Sequence, residues 1–341
     1  MKICKDLREF LEIMDEMGEM ITIDEEVDPH NFELSSLIRH SEAGPNKAVY
    51  FPLVKGYGIP VVGNLFGSLR RCYLACGIEP QQEDVERYRD DPRGSPGGRG
   101  GMSGMLMNAF TMNDADRAGM VMMRERILWA EDEAAGGRAR TKLAPTGPCK
   151  EVKILKDFDL PAFLPVPWHC EGDVGPYINP AGLVQRDPDS GILNIGVRRH
   201  QVTYEPYGKD RMGVLIVEAT DGYKILEKYE AKNQACPVAL CIGLDPVTEI
   251  MANYNSAHFS VPNPSYSEFD SASAIMGRPL EMVKCETVDL EVPANTEIVI
   301  EGFIPAHDRL QEGPMAEFTD MYAMKGLLPY IQVTAITHRK N

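Results

Sequence analysis

Positive charge is scarce in this chain. Its 35 lysines and arginines face 51 aspartates and glutamates, a formal charge of −16 over 341 residues. Nonspecific nucleic-acid binding needs a basic footprint, so no nucleic-acid partner is expected. Apolar runs long enough to span a bilayer, about eighteen residues, are also missing, and no membrane role is expected. The N-terminus, MKICKDLREFLEIMDEMGEM, carries acids where a signal peptide needs an apolar centre. A cytoplasmic location is the expectation. Cys-x-x-Cys pairs are absent among the eight cysteines. They read as reduced, packed thiols, with a zinc or iron–sulfur site as the alternative.

What is present is enough apolar residue, 43%, for a sizeable core and two domains. Residues 1–78 read as a small α/β module. Leu7, Phe10, Leu11, Met14 and Met17 recur at helical spacing and Gly18 can stop that helix. A short strand, a second helix and two apolar strands around Gly-Tyr-Gly follow. Residues 79–139 form a glycine-rich linker, mobile or lid-like, and a helical segment. From 140 to 341 the period changes to strands with two or three inserted helices. Asp187-Pro-Asp-Ser-Gly supplies a hairpin turn. The fold class is α+β with a barrel-like sheet.

Three stretches could carry chemistry. In NIGVRRHQV, Asn194, Arg198 and His200 share one sheet face and Arg199 points to the other, unless a bulge merges them. Gly196 allows close approach of a ligand or a backbone. Glu268 opens a helix, where a carboxylate suits the dipole; with an asparagine oxygen it could also hold a hard divalent ion. In EGPMAEFTD, Pro314 disfavours a regular helix between Glu312 and Glu317. The two carboxylates are either surface groups of a turn or an acid/base pair with split affinities for protons. His169, in the polar block WHCEGD, is a further pocket candidate.

Seven blocks together carry a resemblance. They are KDLREFLEIMDEMGEMITIDEEVDP, YFPLVKGYGIPVVGNLFGS, PVPWHCEGDVGPYI, DPDSGILNIGVRRHQV, PVALCIGLDP, SEFDSASAIMGRPLEMVKCETVDLEVPANTEIVIEGFIP and EGPMAEFTDMY. In this order, over most of the chain, they resemble the UbiD family of reversible decarboxylases. The resemblance implies a split β-barrel domain similar to flavin reductases. It also implies prenylated FMN with a divalent metal, usually manganese, and often K+. Arg199, Glu312 and Glu317 match the family's catalytic trio, and Asn194 and Glu268 its metal ligands. Ile195, Gly196 and Val197 match backbone contacts to the cofactor.

The implied function is a non-oxidative carboxy-lyase acting on an aromatic or α,β-unsaturated carboxylic acid through a prenyl-FMN adduct. Arg199 would position the carboxylate, Glu317 would protonate the carbon that loses CO2, and Glu312 would tune the pair. The sequence differs from the family at Arg198, usually tyrosine, and at Ala316, usually glycine. It differs also in DRMGVLIVEATDGYKIL, where Leu215 and Ile216 stand in place of metal- and phosphate-holding residues. The chain stops before the family's C-terminal domain, which a separate subunit of a homo- or hetero-oligomer could supply. The alternative reading is a non-catalytic or partner-dependent subunit with degenerate cofactor binding. A third is a flavin- or nucleotide-binding scaffold without chemistry.

Overall fold

The alternation that begins near residue 140 becomes a sheet buried on both faces. A computed structural model describes residues 3–91, 113–218, 220–254, 265–317, 321–323 and 325–341. Seven of its strands form one sheet: β5 (Val152–Ile154), β6 (Tyr177–Arg186), β7 (Leu193–Gln201), β8 (Arg211–Gly213), β9 (Cys236–Ile242), β12 (Ile298–Ile304) and β17 (Tyr330–His338). The order is β5-β17-β12-β9-β6-β7, with β8 also paired to β17. Because successive side chains alternate, Leu183, Val238, Leu240 and Ile300 pack on one face. Val184, Ala239, Cys241 and Val299 pack on the other.

Helices cover both faces. On the first lies α6 (Asp221–Ala231), through Ile225 and Leu226. On the second lie α1 (Leu7–Glu16), α3 (Leu69–Ala75), α7 (Pro246–Asn253) and α8 (Glu268–Met276), contributing Phe10, Tyr73, Met251 and Phe269. A smaller sheet joins β4 (Lys142–Leu143), β10 (Glu281–Lys284) and β11 (Glu291–Pro293).

The N-terminal segment builds a three-stranded sheet of its own. Asp6 caps α1, accepting from the Glu9 amide at 2.9 Å, and Gly18 follows the helix at φ +67°. β1 (Met20–Thr22) and β2 (Ala48–Phe51) are parallel, so α2 (Glu33–Ala43) provides the crossover. β3 (Val61–Gly63) returns antiparallel to β2. Buried Arg71 staples the module through the carbonyls of Leu65 and Asn64, at 2.8 and 2.9 Å.

Three outcomes differ from expectation or qualify it. The stretch expected to be linker contains a helix, α4 (Gln82–Tyr88), started by a capping box of Gln81 and Asp84. It docks on α5 (Asp114–Ala135) through a 3.0 Å bond from the Tyr88 hydroxyl to Glu125. The glycine-rich stretch at 92–112 lies outside the described residues. The main sheet is open rather than barrel-closed among the described residues. The outer edge of β7 receives the Glu268 side chain at the Ile195 amide and the Leu215 amide at the Arg199 carbonyl, instead of a further strand. No disulfide links cysteines among the described residues.

Candidate active site

Four short strands from the C-terminal part of the chain form two antiparallel pairs beside Arg199. β13 (Leu310–Glu312) pairs with β16 (Gly326–Leu328), and β14 (Met315–Ala316) with β15 (Tyr322–Ala323). Gly313 lies at φ +77°, a backbone conformation that favours glycine, so the chain turns between Glu312 and Glu317. Both carboxylates reach Arg199. Its Nε and Nη2 donate to Glu312 Oε1 and Oε2 at 3.1 and 3.2 Å, a two-pronged charge-assisted pair. Its Nη1 donates to Glu317 Oε1. Arg199 is 8% exposed and Glu312 1%, while the Glu317 side chain keeps 36% of its surface. Glu312 is therefore sealed and has both oxygens occupied. Glu317 is the carboxylate that a small molecule can approach. The two meet through a guanidinium; they are not a surface turn.

A second segment holds this cluster. Asp173 Oδ1 accepts from the Ala316 amide at 2.6 Å and Oδ2 from the Cys170 amide at 2.9 Å. The Val174 amide donates to the Pro314 carbonyl at 2.9 Å, and the Gly172 amide to the Tyr322 hydroxyl at 3.1 Å. The Tyr177 ring lies 5.9 Å from the Arg199 guanidinium carbon. Gln201 Oε1 accepts from both the Tyr177 hydroxyl, at 3.2 Å, and the Gly313 amide, at 3.1 Å. Burial, with Glu312 nearby, pushes the Tyr177 phenol well above its ordinary value and keeps it a donor. Reading residue by residue did not find Asp173, Tyr177 or Gln201. Asp173 and Gln201 bond backbone amides, which leave no mark in the sequence. His169 bears on this segment only indirectly. Its Nε2 lies 3.1 Å from the Tyr177 carbonyl, and burial lowers its pKa.

The other expected pair also forms. Glu268 opens α8 behind the cap residue Ser267. Its Oε1 accepts from Asn194 Nδ2 at 3.0 Å and its Oε2 from the Ile195 amide at 3.2 Å. Burial pushes the carboxyl up to about 8. The alternation along β7 holds, so Asn194 and Arg198 face the start of α6 at Gly222, opposite Arg199. The two clusters are not merged by a bulge. His200, on the Arg198 side, is fully buried, and desolvation, then Arg198, lowers it to about 3.

Metal and flavin fare differently here. Asn194 and Glu268 are occupied with each other, and Leu215 and Ile216 offer only hydrocarbon. No group of three His, Cys, Asp or Glu able to hold a metal occurs among the described residues. The donor set does not fit a resident divalent ion. A flavin phosphate fits better: Arg198 Nε is buried without a hydrogen-bond partner. In addition, β7 is the last strand of its sheet; Glu268 meets its outer edge at the Ile195 amide and Leu215 at the Arg199 carbonyl, with Gly196 and Val197 between them. A flat ring can lie along that edge.

Comparison with known proteins gives the family. The family model of the UbiD 3-octaprenyl-4-hydroxybenzoate carboxy-lyase Rift-related domain matches residues 141–341, and the model of its N-terminal domain matches residues 11–90. This chain belongs to the UbiD family. It is 30% identical, over 347 residues, to a phenolic acid decarboxylase of Sedimentibacter hydroxybenzoicus, covering 100% of this chain and 62% of that protein. It superposes on an evolved dimeric form of the UbiD-class enzyme HmfF from Pelotomaculum thermopropionicum, solved with prFMN. That match has a TM-score of 0.77 and 32% identity, and covers 99% of this chain and 66% of the other. It also superposes on the closed form of the S. hydroxybenzoicus vanillic acid decarboxylase, with a TM-score of 0.78, 29% identity and coverage of 100% and 63%. The chain thus spans under two thirds of the length of these UbiD relatives. The mixed α+β fold is that of UbiD-class enzymes. No helix among the described residues is long and apolar enough to cross a membrane.

Proposed function

We propose that this UbiD-family chain is a carboxy-lyase that removes CO2 reversibly, without oxidation, from an aromatic or α,β-unsaturated carboxylic acid. The observation that carries the reading is Arg199 held between a sealed Glu312 and a part-exposed Glu317. A guanidinium attracts and orients a carboxylate substrate. Glu312 fixes the plane of Arg199 and balances its charge. Losing CO2 leaves an electron pair on carbon, which takes the proton of the Glu317 carboxyl. Solvent at the exposed side of Glu317 returns that proton. In reverse, Glu317 removes the proton and CO2 adds at the same carbon.

Prenylated FMN is the cofactor this reading requires; when bound it supplies the electron sink for the departing carboxylate. Arg198 and the edge of β7 would hold it, with Ile195, Gly196 and Val197 along its ring. Mn2+ and K+ enter no step, because the described donors do not fit a resident ion. The solved HmfF with prFMN and the named phenolic and vanillic acid decarboxylases support the cofactor and the substrate class. The intact trio favours catalysis over a non-catalytic subunit. A homo- or hetero-oligomer in the cytoplasm is compatible with this reading.

The protein should be co-expressed with a source of prenylated FMN, purified, and examined by absorbance and mass spectrometry. Bound prenylated FMN is the expected result. Its absence at any occupancy, with and without candidate partner chains, contradicts the reading.

A further inference from the structure

We propose that Arg198 fills the space beside Asn194 that a divalent ion would need, and that it binds the flavin phosphate directly without metal. The proposal rests on the flavin reading above and concerns how this chain differs from its family at that site.

The geometry begins with two glycines. A Cβ at Gly196 would come 3.0–3.2 Å from the Arg198 guanidinium, and a Cβ at Gly222 would come 3.0 Å from its Nη2. The guanidinium therefore lies in a slot that exists because neither position carries a side chain. The same Cβ at Gly222 would stand 3.8 Å from Asn194 Oδ1, so Arg198 and Asn194 border one space. The slot that could admit an ion beside Asn194 already contains a cation.

The charges close around it. The acidic groups acting on Arg198 are Glu268, at the start of α8, and Asp221, at the start of α6. Asp221 is already paired with Lys224 at 3.1 Å. Neither carboxylate forms a direct ion pair with Arg198 among the described residues; its bonds go to the Val197 carbonyl and Thr220. His200 is the remaining titratable group on this face of β7 and is buried.

Donors remain for an anion. Arg198 Nη1 binds the Val197 carbonyl at 2.7 Å, Nη2 reaches Thr220 Oγ1 at a long 3.4 Å, and Nε has no partner. A guanidinium carries five N–H groups, so several are free for phosphate oxygens. The buried guanidinium with its unpartnered Nε is what points to an anion.

The test uses the full chain with FMN and riboflavin as probes, followed by flavin fluorescence. It is run once in excess EDTA and once with added Mn2+, with metal content measured on the loaded protein. The wild type should bind FMN equally in both and carry less than stoichiometric manganese. Arg198→Met should weaken FMN by about tenfold or more, the loss of a charged hydrogen-bonding partner, and leave riboflavin unchanged. Arg198→Lys should fall between. Riboflavin binding reports that the variants fold.

Loss of FMN binding in EDTA with recovery on one Mn2+ per chain overturns the proposal and leaves the decarboxylase reading standing. So does Arg198→Met binding FMN as tightly as wild type, or losing both flavins equally. If the wild type binds neither flavin under either condition, the flavin reading itself fails, and this inference with it.

Discussion

Glu312 holds Arg199 with two parallel hydrogen bonds, 3.1 and 3.2 Å, in a place where both side chains are almost wholly buried. A buried pair of this kind contributes modestly as a pair but is costly to break, because the survivor is left charged and desolvated. Glu312→Gln should therefore lower unfolding stability by about 3 kcal/mol or more. Urea unfolding followed by circular dichroism measures this. A change below about 1 kcal/mol, the size of an exposed pair, would show that water reaches the cluster.

Asp173 holds the segment that carries Glu317 without touching the guanidinium. Its two oxygens take the Ala316 and Cys170 amides, so removing them frees the residue before Glu317. Asp173→Ala should cut kcat by roughly tenfold to a hundredfold with little change in KM, since misplacement of a reacting group costs rate rather than binding. Asp173→Asn, which keeps one acceptor, should recover part of it. Equal losses in both variants, or a rise in KM alone, would remove Asp173 from this role.

Two further carboxylates predict how stability depends on pH. Asp245 caps α7 and is pushed by burial up to about 6; Glu249, one turn later, is pushed by burial and by Asp245 up to about 7. One Glu249 oxygen is buried without a hydrogen-bond partner. Unfolded, these groups would titrate near 3.8 and 4.5. Between those values and 6 to 7 the folded chain binds more protons, so their contribution is full below about pH 4 and is lost as pH rises through 6 and 7. The melting temperature should fall from pH 5 to pH 8, and fall less in Glu249→Gln. Parallel curves for the two proteins would refute the assignment.

Much of this site is legible in the amino-acid sequence, for a physical reason. Arg199, Glu312 and Glu317 stand in blocks whose residue types are dictated by chemistry, and Gly313 before Pro314 announces a turn. Their meeting is not legible there. Arg199 and Glu312 are 113 residues apart and lie in different sheets, so only tertiary packing brings them together. Asp173 is hidden because its partners are backbone amides, which carry no sequence signal. Arg198 stands out as an unusual charge, yet its slot depends on Gly222 arriving from another element. The barrel-like expectation fails at an edge. Period-two alternation reports which residues are buried, but not whether a strand or a glutamate side chain covers the last strand. Helix α4 escapes notice because seven mostly polar residues carry no apolar stripe; the Gln81–Asp84 capping box is its signal.

Proton delivery by Glu317 is the central claim, and turnover of Glu317→Gln tests it most directly. The wild type and the variant are loaded with prenylated FMN to equal occupancy, and CO2 release from a panel of aromatic and unsaturated acids is measured. The amide keeps the shape and cannot give up a proton. The expected result is equal flavin content with turnover reduced by about a hundredfold or more. Undiminished turnover at equal loading would contradict the account.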